Sequence, residues 1–185
     1  MLEIGGGEVL TGAMAGRRDL GRLLERTAEE PATPGPLFLD FIGVAAATAS
    51  YLRESVVACR SMLRGRASLY YPVIANANEA VRDELLELAR ARGDIFLTCE
   101  LGAEGSIDAA ALVGELEEKQ QLTFRLVQDH GETDAGELMR KYGEREKVRH
   151  ATAWNNRLSA LATLGLVIET RQGRRKHYRP LLQGA

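Results

Sequence analysis

The chain is poor in the residues that staple or metallate a fold. It has two cysteines, Cys59 and Cys99, and three histidines in 185 residues. The cysteines are far apart in sequence and lack metal-ligand spacing, so neither a disulfide framework nor a zinc site is expected. His150 and His177 have no Cys, Asp or His neighbour at ligand spacing, so no metal is expected. Aromatics are sparse, with one Trp, at 154. No run approaches the roughly 18 apolar residues of a membrane span. The start, MLEIGGGE, has neither a basic region nor an apolar core, so it does not read as a secretory signal. A soluble, cytoplasmic protein is expected, with both thiols as small buried hydrophobes.

Catalytic motifs are missing as well. No GxxxxGK[ST] or GxGxxG follows a strand, there is no GxSxG, and no pattern suggests a Cys/His pair. The glycines at 5–7 precede no clear helix. Scattered carboxylates fall on helix faces, where solvation explains them. No enzyme activity and no cofactor are expected.

What the chain does have is apolar residues, 45% of the total, and an uneven charge. From Arg140 to the end there are 11 Lys/Arg against 3 Asp/Glu, while the residues before carry 13 against 23. An acidic body joined to a basic end points to a polyanionic partner for the second part.

Taken in order, residues 1–12 are Gly-rich and suit one or two short strands. GRRDLGRLLERTAEE (16–30) reads as a helix, with Leu20, Leu23, Leu24 and Ala28 on one face. PATPGP stops it. LFLDF (37–41) is a continuous apolar run, expected to be a strand buried on both faces. A helix over 46–64 follows, with Ala49, Leu52, Val56, Cys59 and Leu63 at spacings of three and four. LYYPVIA (69–75) is a strand whose Pro72 places it at an edge, or starts its regular part after the proline. NANEAVRDELLELARARG is a helix capped by Asn78 and ended by Gly93. IFLTCEL (95–101) is a third strand. This alternation indicates α/β with a mainly parallel sheet. LGAEGS (101–106) breaks the pattern, and SIDAAALVGELEEKQ reads as a helix capped by Ser106. The domain boundary is placed near 115, giving domains 1–115 and 116–185.

Beyond the boundary the order reads helix, helix, helix, strand, turn, strand, an α+β domain. Leu122–His130 forms the first of these helices. Thr133 caps the second, with Leu138, Met139 and Tyr142 inward. In the last helix Trp154, Leu158, Leu161 and Leu164 share one face. Asn155, Asn156 and Ser159 fall on others, with Thr152 and Arg149 one turn earlier. GLVIE begins a strand, RQGRRK forms a hairpin tip, and HYRP returns.

The stretch NRLSALATLGLVIETRQGRRKHYRP resembles the recognition helix and wing of winged helix-turn-helix DNA-binding domains of the MarR and ArsR type. The match is a helix ending xRLxxLxxxGLV, a strand, a Gly-Arg turn and a Tyr on the return strand, and it covers about 65 residues. Between Gly143 and Leu158 the chain is about five residues longer than that pattern, so EREKVRH either extends the helix or forms a longer loop. The resemblance implies binding to double-stranded DNA by a homodimer. Physically, an α-helix fits the major groove, Asn pairs with adenine and Arg with guanine, and clustered cations hold phosphates. Arg149, Thr152, Asn155 and Asn156 are the candidates for base edges. Arg171, Arg174, Arg175, Lys176 and His177 on the wing are the candidates for phosphates or the minor groove. Arg157 is a further DNA-binding candidate that could instead pair with an acidic neighbour, and Tyr178 and Trp154 are assigned to the core.

In the first domain, DFIGVAAATASYL and VIANANEAVRDELLELA resemble STAS and STAS-like domains of anti-sigma-factor antagonists. That resemblance implies a partner-binding or signal-sensing domain. The serine phosphorylated in regulated members falls on Ala49, so Thr48 or Ser50 would have to take the role. Both also suit helix capping. Asp40 ends a strand and could orient the loop after it. The reading is therefore a DNA-binding transcription regulator with a STAS-like sensing domain. The alternative is a partner-switching interaction protein whose winged helix contacts protein.

Overall fold

The computed structural model describes residues 1–102 and 105–185, so Ala103 and Glu104 of the 101–106 break lie outside the described residues. The chain divides into two compact units, Met1–Glu115 and Leu116–Gly184. It is an α/β protein with three sheets among the described residues, two of them containing parallel strands. No described helix is long and apolar enough to cross a membrane.

The first unit runs α1 (Leu2–Gly5), β1 (Val9–Leu10), α2 (Ala13–Arg26), β2 (Gly35–Asp40), β3 (Ala46–Ala47) and α3 (Ala49–Leu52). A π-helical turn, Arg53–Val57, joins α3 to α4 (Ala58–Gly65). Then come β4 (Tyr70–Ala75), α5 (Glu79–Arg92), β5 (Phe96–Leu101) and β6 (Ile107–Val113). The main sheet has the order β2-β4-β5-β6. Its first three strands are parallel and β6 is antiparallel. β1 and β3 form a separate parallel pair.

The apolar stripes land where their spacing puts them. Leu52, Val56, Cys59 and Leu63 are buried, as are Val81, Leu85, Leu88 and Ala89 of α5. Burial pushes the Cys59 thiol up to about 11 and also raises that of Cys99, so both stay protonated at neutral pH. The Asn78 side chain accepts from the Val81 N–H at 2.9 Å, and Gly93 ends α5 in the left-handed conformation.

Three features differ from the sequence pattern. β2 is an edge strand in which only Leu39 is buried, not a strand buried on both faces. β4 lies inside the sheet despite Pro72, because its pairing with β5 begins only at Ile74, past the residue that lacks an N–H. Most clearly, 107–113 is strand, not a helix capped by Ser106. Alanines favour helix by only tenths of a kcal/mol per residue, whereas pairing satisfies the whole free edge of β5. One extra residue on β6 bulges the ladder between Thr98 and Glu100, and Ala109 takes φ 48 there. Smaller shifts occur elsewhere. α2 starts at Ala13 and stops at Arg26, which leaves Ala28 exposed.

α2 packs on the π turn. A Cβ at Gly16 would lie 2.7 Å from the Tyr51 carbonyl, so only glycine allows this approach. One turn on, the fully buried Asp19 accepts from the Tyr51 hydroxyl at 3.0 Å, Arg18 Nε at 3.0 Å and Arg22 Nη1 at 3.2 Å. Ser55 donates to the Tyr51 carbonyl at 2.7 Å, bonding a group that the π turn leaves out of the regular helical pattern.

The second unit has α6 (Glu118–His130), α7 (Ala135–Tyr142), α8 (Ala151–Leu164), β7 (Val167–Gln172) and β8 (Arg175–Pro180). Its core holds Phe124, Leu126, Val127, Leu138, Trp154, Leu158, Leu161, Val167, Ile168 and Tyr178. The cap of α7 is Asp134, which accepts from the Glu137 N–H at 2.8 Å, and not Thr133. Thr133 instead forms an isolated antiparallel bridge with Tyr178, closed by two backbone hydrogen bonds of 2.9 and 2.8 Å. Met139 and Tyr142 are only half-buried. Residues 143–147 form a turn, and α8 begins at Ala151 after His150.

Replacing Tyr51 with Phe keeps the ring and removes one partner of a buried carboxylate. We expect a loss of about 1–3 kcal/mol in urea unfolding followed by circular dichroism. A change below about 0.5 kcal/mol, the size of a neutral surface substitution, would show that Arg18 and Arg22 alone satisfy Asp19.

Candidate functional site

Five basic residues of the second unit converge on one cleft. Its volume is about 640 Å³, and it lies between the start of α7, the Asn155 side of α8 and the β7–β8 hairpin. Asn155 contributes from α8, and Arg171, Arg174, Arg175 and Lys176 from the hairpin. Arg140 closes it from α7, beside Asp134, Ala135 and Gly136 at the start of that helix.

Hairpin geometry explains the grouping. Gln172 pairs with Arg175, so the turn has two residues, and Gly173 takes the φ of 63 that such a turn needs. The register then sets Arg171 opposite Lys176 and Glu169 opposite Tyr178. Side chains alternate along a strand, so these four share one face. The other face carries Thr170, His177 and Arg175 near the tip.

Besides Asp134 in the lining, a second carboxylate, Glu169, sits against two of these cations. Glu169 lies 2.9 Å from Lys176 Nζ and 3.8 Å from Arg171 Nε. It also accepts from the Tyr178 hydroxyl at 3.2 Å, and that hydroxyl is 3.2 Å from Ser159 Oγ of α8. Burial pushes the Tyr178 phenol up to about 12; the Ser159 contact opposes the shift and the Glu169 charge adds to it. Arg140, Arg174 and Arg175 have no ion-pair partner among the described residues.

The other sequence candidates lie apart from the cleft lining. Arg149 sits in the connection before α8, not one turn earlier on the helix, because α8 starts only at Ala151. Thr152 and Asn156 are exposed and, four residues apart, lie on one side of α8. Asn155 is half-buried and faces the cleft, so the asparagine pair is divided between two faces. Arg157 has no acidic partner among the described residues. Its guanidinium stacks 4.8 Å from the Trp154 ring centre, and its Nη1 and the Trp154 Nε1 are buried without hydrogen-bond partners among the described residues. His177 Nδ1 lies 3.4 Å from a carboxylate oxygen of Glu132.

Two contributors were absent from the sequence candidates. Arg140 lies in the last turn of α7, and its spacing from Gly136 (i, i+4) was the available signal. Glu169 could be found by counting back from the two-residue turn at Gly173.

In the first unit, Thr48 caps α3. Its Oγ1 is 3.4 Å from the Tyr51 N–H, 3.3 Å from the Gly12 N–H and 3.1 Å from Ser50 Oγ. The Glu84 carboxylate accepts from the Ala49 N–H at 2.8 Å, so the positive end of α3 already faces an anionic group. Asp40 accepts from the Ile42 N–H at 2.9 Å and from Asn76 Nδ2 at 2.7 Å, tying down the loop after β2. No group of three or more His, Cys, Asp or Glu among the described residues is placed to hold a metal ion.

No protein-family model matches the chain, and no curated protein matches it.

Tyr178→Phe should cost about 1–2 kcal/mol, since it strips one partner from Glu169 and one from Ser159. Trp154 fluorescence in urea reports it. The phenol is pushed above its unfolded value of about 10, so its contribution is complete below that pH and is lost as pH rises through about 12. The gap between wild type and variant should therefore narrow over that window. A gap that stays constant would contradict the assignment.

Proposed function

We propose that the protein is a DNA-binding transcription regulator. The observation that carries this reading is the cleft in which Asn155 meets five cations. A helix and a basic hairpin flanking one cleft suit a duplex. The helix would enter the major groove, and the hairpin would lie on the adjacent backbone or minor groove. The order helix, bridge, helix, helix, hairpin and the basic turn support the likeness to winged helix-turn-helix domains. Under this reading α8 is the recognition helix and 171–176 is the wing.

Roles follow from placement. Asn155 reads a base edge, with Asn156 and Thr152 available on the exposed side of α8. Arg174, Arg175 and Arg140, which have no ion-pair partner among the described residues, neutralise phosphates. Arg149 precedes the helix and serves the backbone rather than a base. A homodimer would set two such helices on half-sites about one helical turn apart. The first unit, read as STAS-like, would receive a protein partner or a signal. The carboxylate of Glu84 at the start of α3 weighs against a phosphate on Thr48 or Ser50 as that signal, since like charges would meet there.

Titrating a labelled duplex across salt concentrations tests the proposal. Wild-type binding should weaken linearly in log–log form. Arg174→Ala with Arg175→Ala should lower the magnitude of that slope by about 2, at roughly 0.9 per phosphate contact. No duplex binding at low salt, or a slope near zero, would refute DNA binding. Selection from random duplexes gives the second arm. Asn155→Ala should relax preference at one base pair by about 1–3 kcal/mol, while the arginine variants leave preference unchanged.

A further inference from the structure

We infer that Glu169 sets how selectively the cleft binds, by holding two of its five cations out of reach of phosphate. The inference rests on the DNA-binding reading. It adds a specificity-determining residue whose charge is opposite to that expected of a contact residue.

The basis is placement. Glu169 occupies the cleft-side face of the hairpin, with its carboxylate against Lys176 Nζ at 2.9 and 3.0 Å and within 3.8 Å of Arg171 Nε. Three of the five cleft cations, Arg140, Arg174 and Arg175, remain unpaired among the described residues. These three mark the cleft's outer parts, at the wing tip and on α7. Lys176, held at 2.9 Å, and the more exposed Arg171, at 3.8 Å, lie on the strands, behind the tip.

Glu169 is itself fixed. The Tyr178 hydroxyl donates to it, and Tyr178 is fully buried, doubly bonded through its backbone to Thr133 and in contact with Ser159. The Tyr178 hydroxyl and the Lys176 ammonium hold the carboxylate on this face of the hairpin. Any phosphate brought to Lys176 or Arg171 must then compete with an existing ion pair and meet a negative charge. Backbone phosphates are the same in every sequence, so cations free to bind them raise affinity for all duplexes alike. Restraining two of them lowers sequence-independent binding and leaves discrimination to Asn155.

The test compares wild type, Glu169→Gln and Glu169→Asp on a selected duplex and on a random-sequence duplex, across salt. Glutamine keeps the shape and still accepts from Tyr178, but it releases both cations. The salt slope on random duplex should steepen by about 1–2, at roughly 0.9 per added phosphate contact. Affinity for random duplex at low salt should rise tenfold or more, and the ratio of selected to random affinity should fall. Aspartate keeps the charge and should stay nearer wild type. Adding Lys176→Gln to the glutamine variant should remove about one unit of the gained slope, which a merely structural role for Glu169 would not produce. Wild-type binding with an unchanged or shallower Glu169→Gln slope overturns this inference and leaves DNA binding standing. No wild-type duplex binding overturns both. Should the glutamine variant fail to fold, amine acylation of wild-type protein decides. Lys176 should react several-fold more slowly than the exposed Lys147, and equal rates overturn the inference.

Discussion

The second unit depends on one residue, Tyr178. Its backbone is hydrogen-bonded in both directions to Thr133, so the return strand of the hairpin is fixed to the segment between α6 and α7. Its ring fills the core, and its hydroxyl reaches Ser159 of α8 and Glu169 of β7. Three elements that are distant in sequence are thereby referenced to one side chain. A hairpin alone is marginal in water. Here it has a fixed orientation against α8 because its central cross-strand pair, Glu169 and Tyr178, is tied to the helix.

The first unit solves a similar problem with different chemistry. α2 approaches the π turn closely enough that Gly16 cannot carry a side chain, and the buried Asp19 is satisfied by one phenol and two guanidinium groups. A buried carboxylate with fewer partners would be costly. The exposed sides of Arg18 and Arg22 keep part of the charge in water. At the opposite helix start, Glu84 supplies a carboxylate to the first free N–H of α3, which links α5 to α3 in the same electrostatic terms.

How far the sequence could be read follows from the kind of signal. Periodic stripes were reliable because a 3.6-residue repeat of apolar residues has few other uses. Val81, Leu85, Leu88 and Ala89 are all buried, as are Trp154, Leu158 and Leu161. The segment 107–113 was misread because its alanines carry a local preference too weak to resist a free sheet edge. Thr133 was misread for a related reason. Threonine suits both a cap and a bridge, and only the distant Tyr178 decides between them. In the cleft, Asn155 and the hairpin cations were visible as residue types beside a Gly turn. Their division into paired and unpaired sets was not visible, because it rests on which side of a hairpin each residue occupies. The splitting of Asn155 from Asn156 needed the rotation of α8, which the start at Ala151 sets.

The two-residue turn at Gly173 has a consequence for how this hairpin can change. Side chains alternate, so a single residue inserted between a paired strand position and the turn would exchange the two faces of that strand. Glu169 would leave the side of Tyr178 and Lys176, and a neighbour would take its place. The hairpin therefore admits changes of length only in steps of two, or in the turn itself. Its tip is free to vary in reach and charge, while the parity of its strands is fixed.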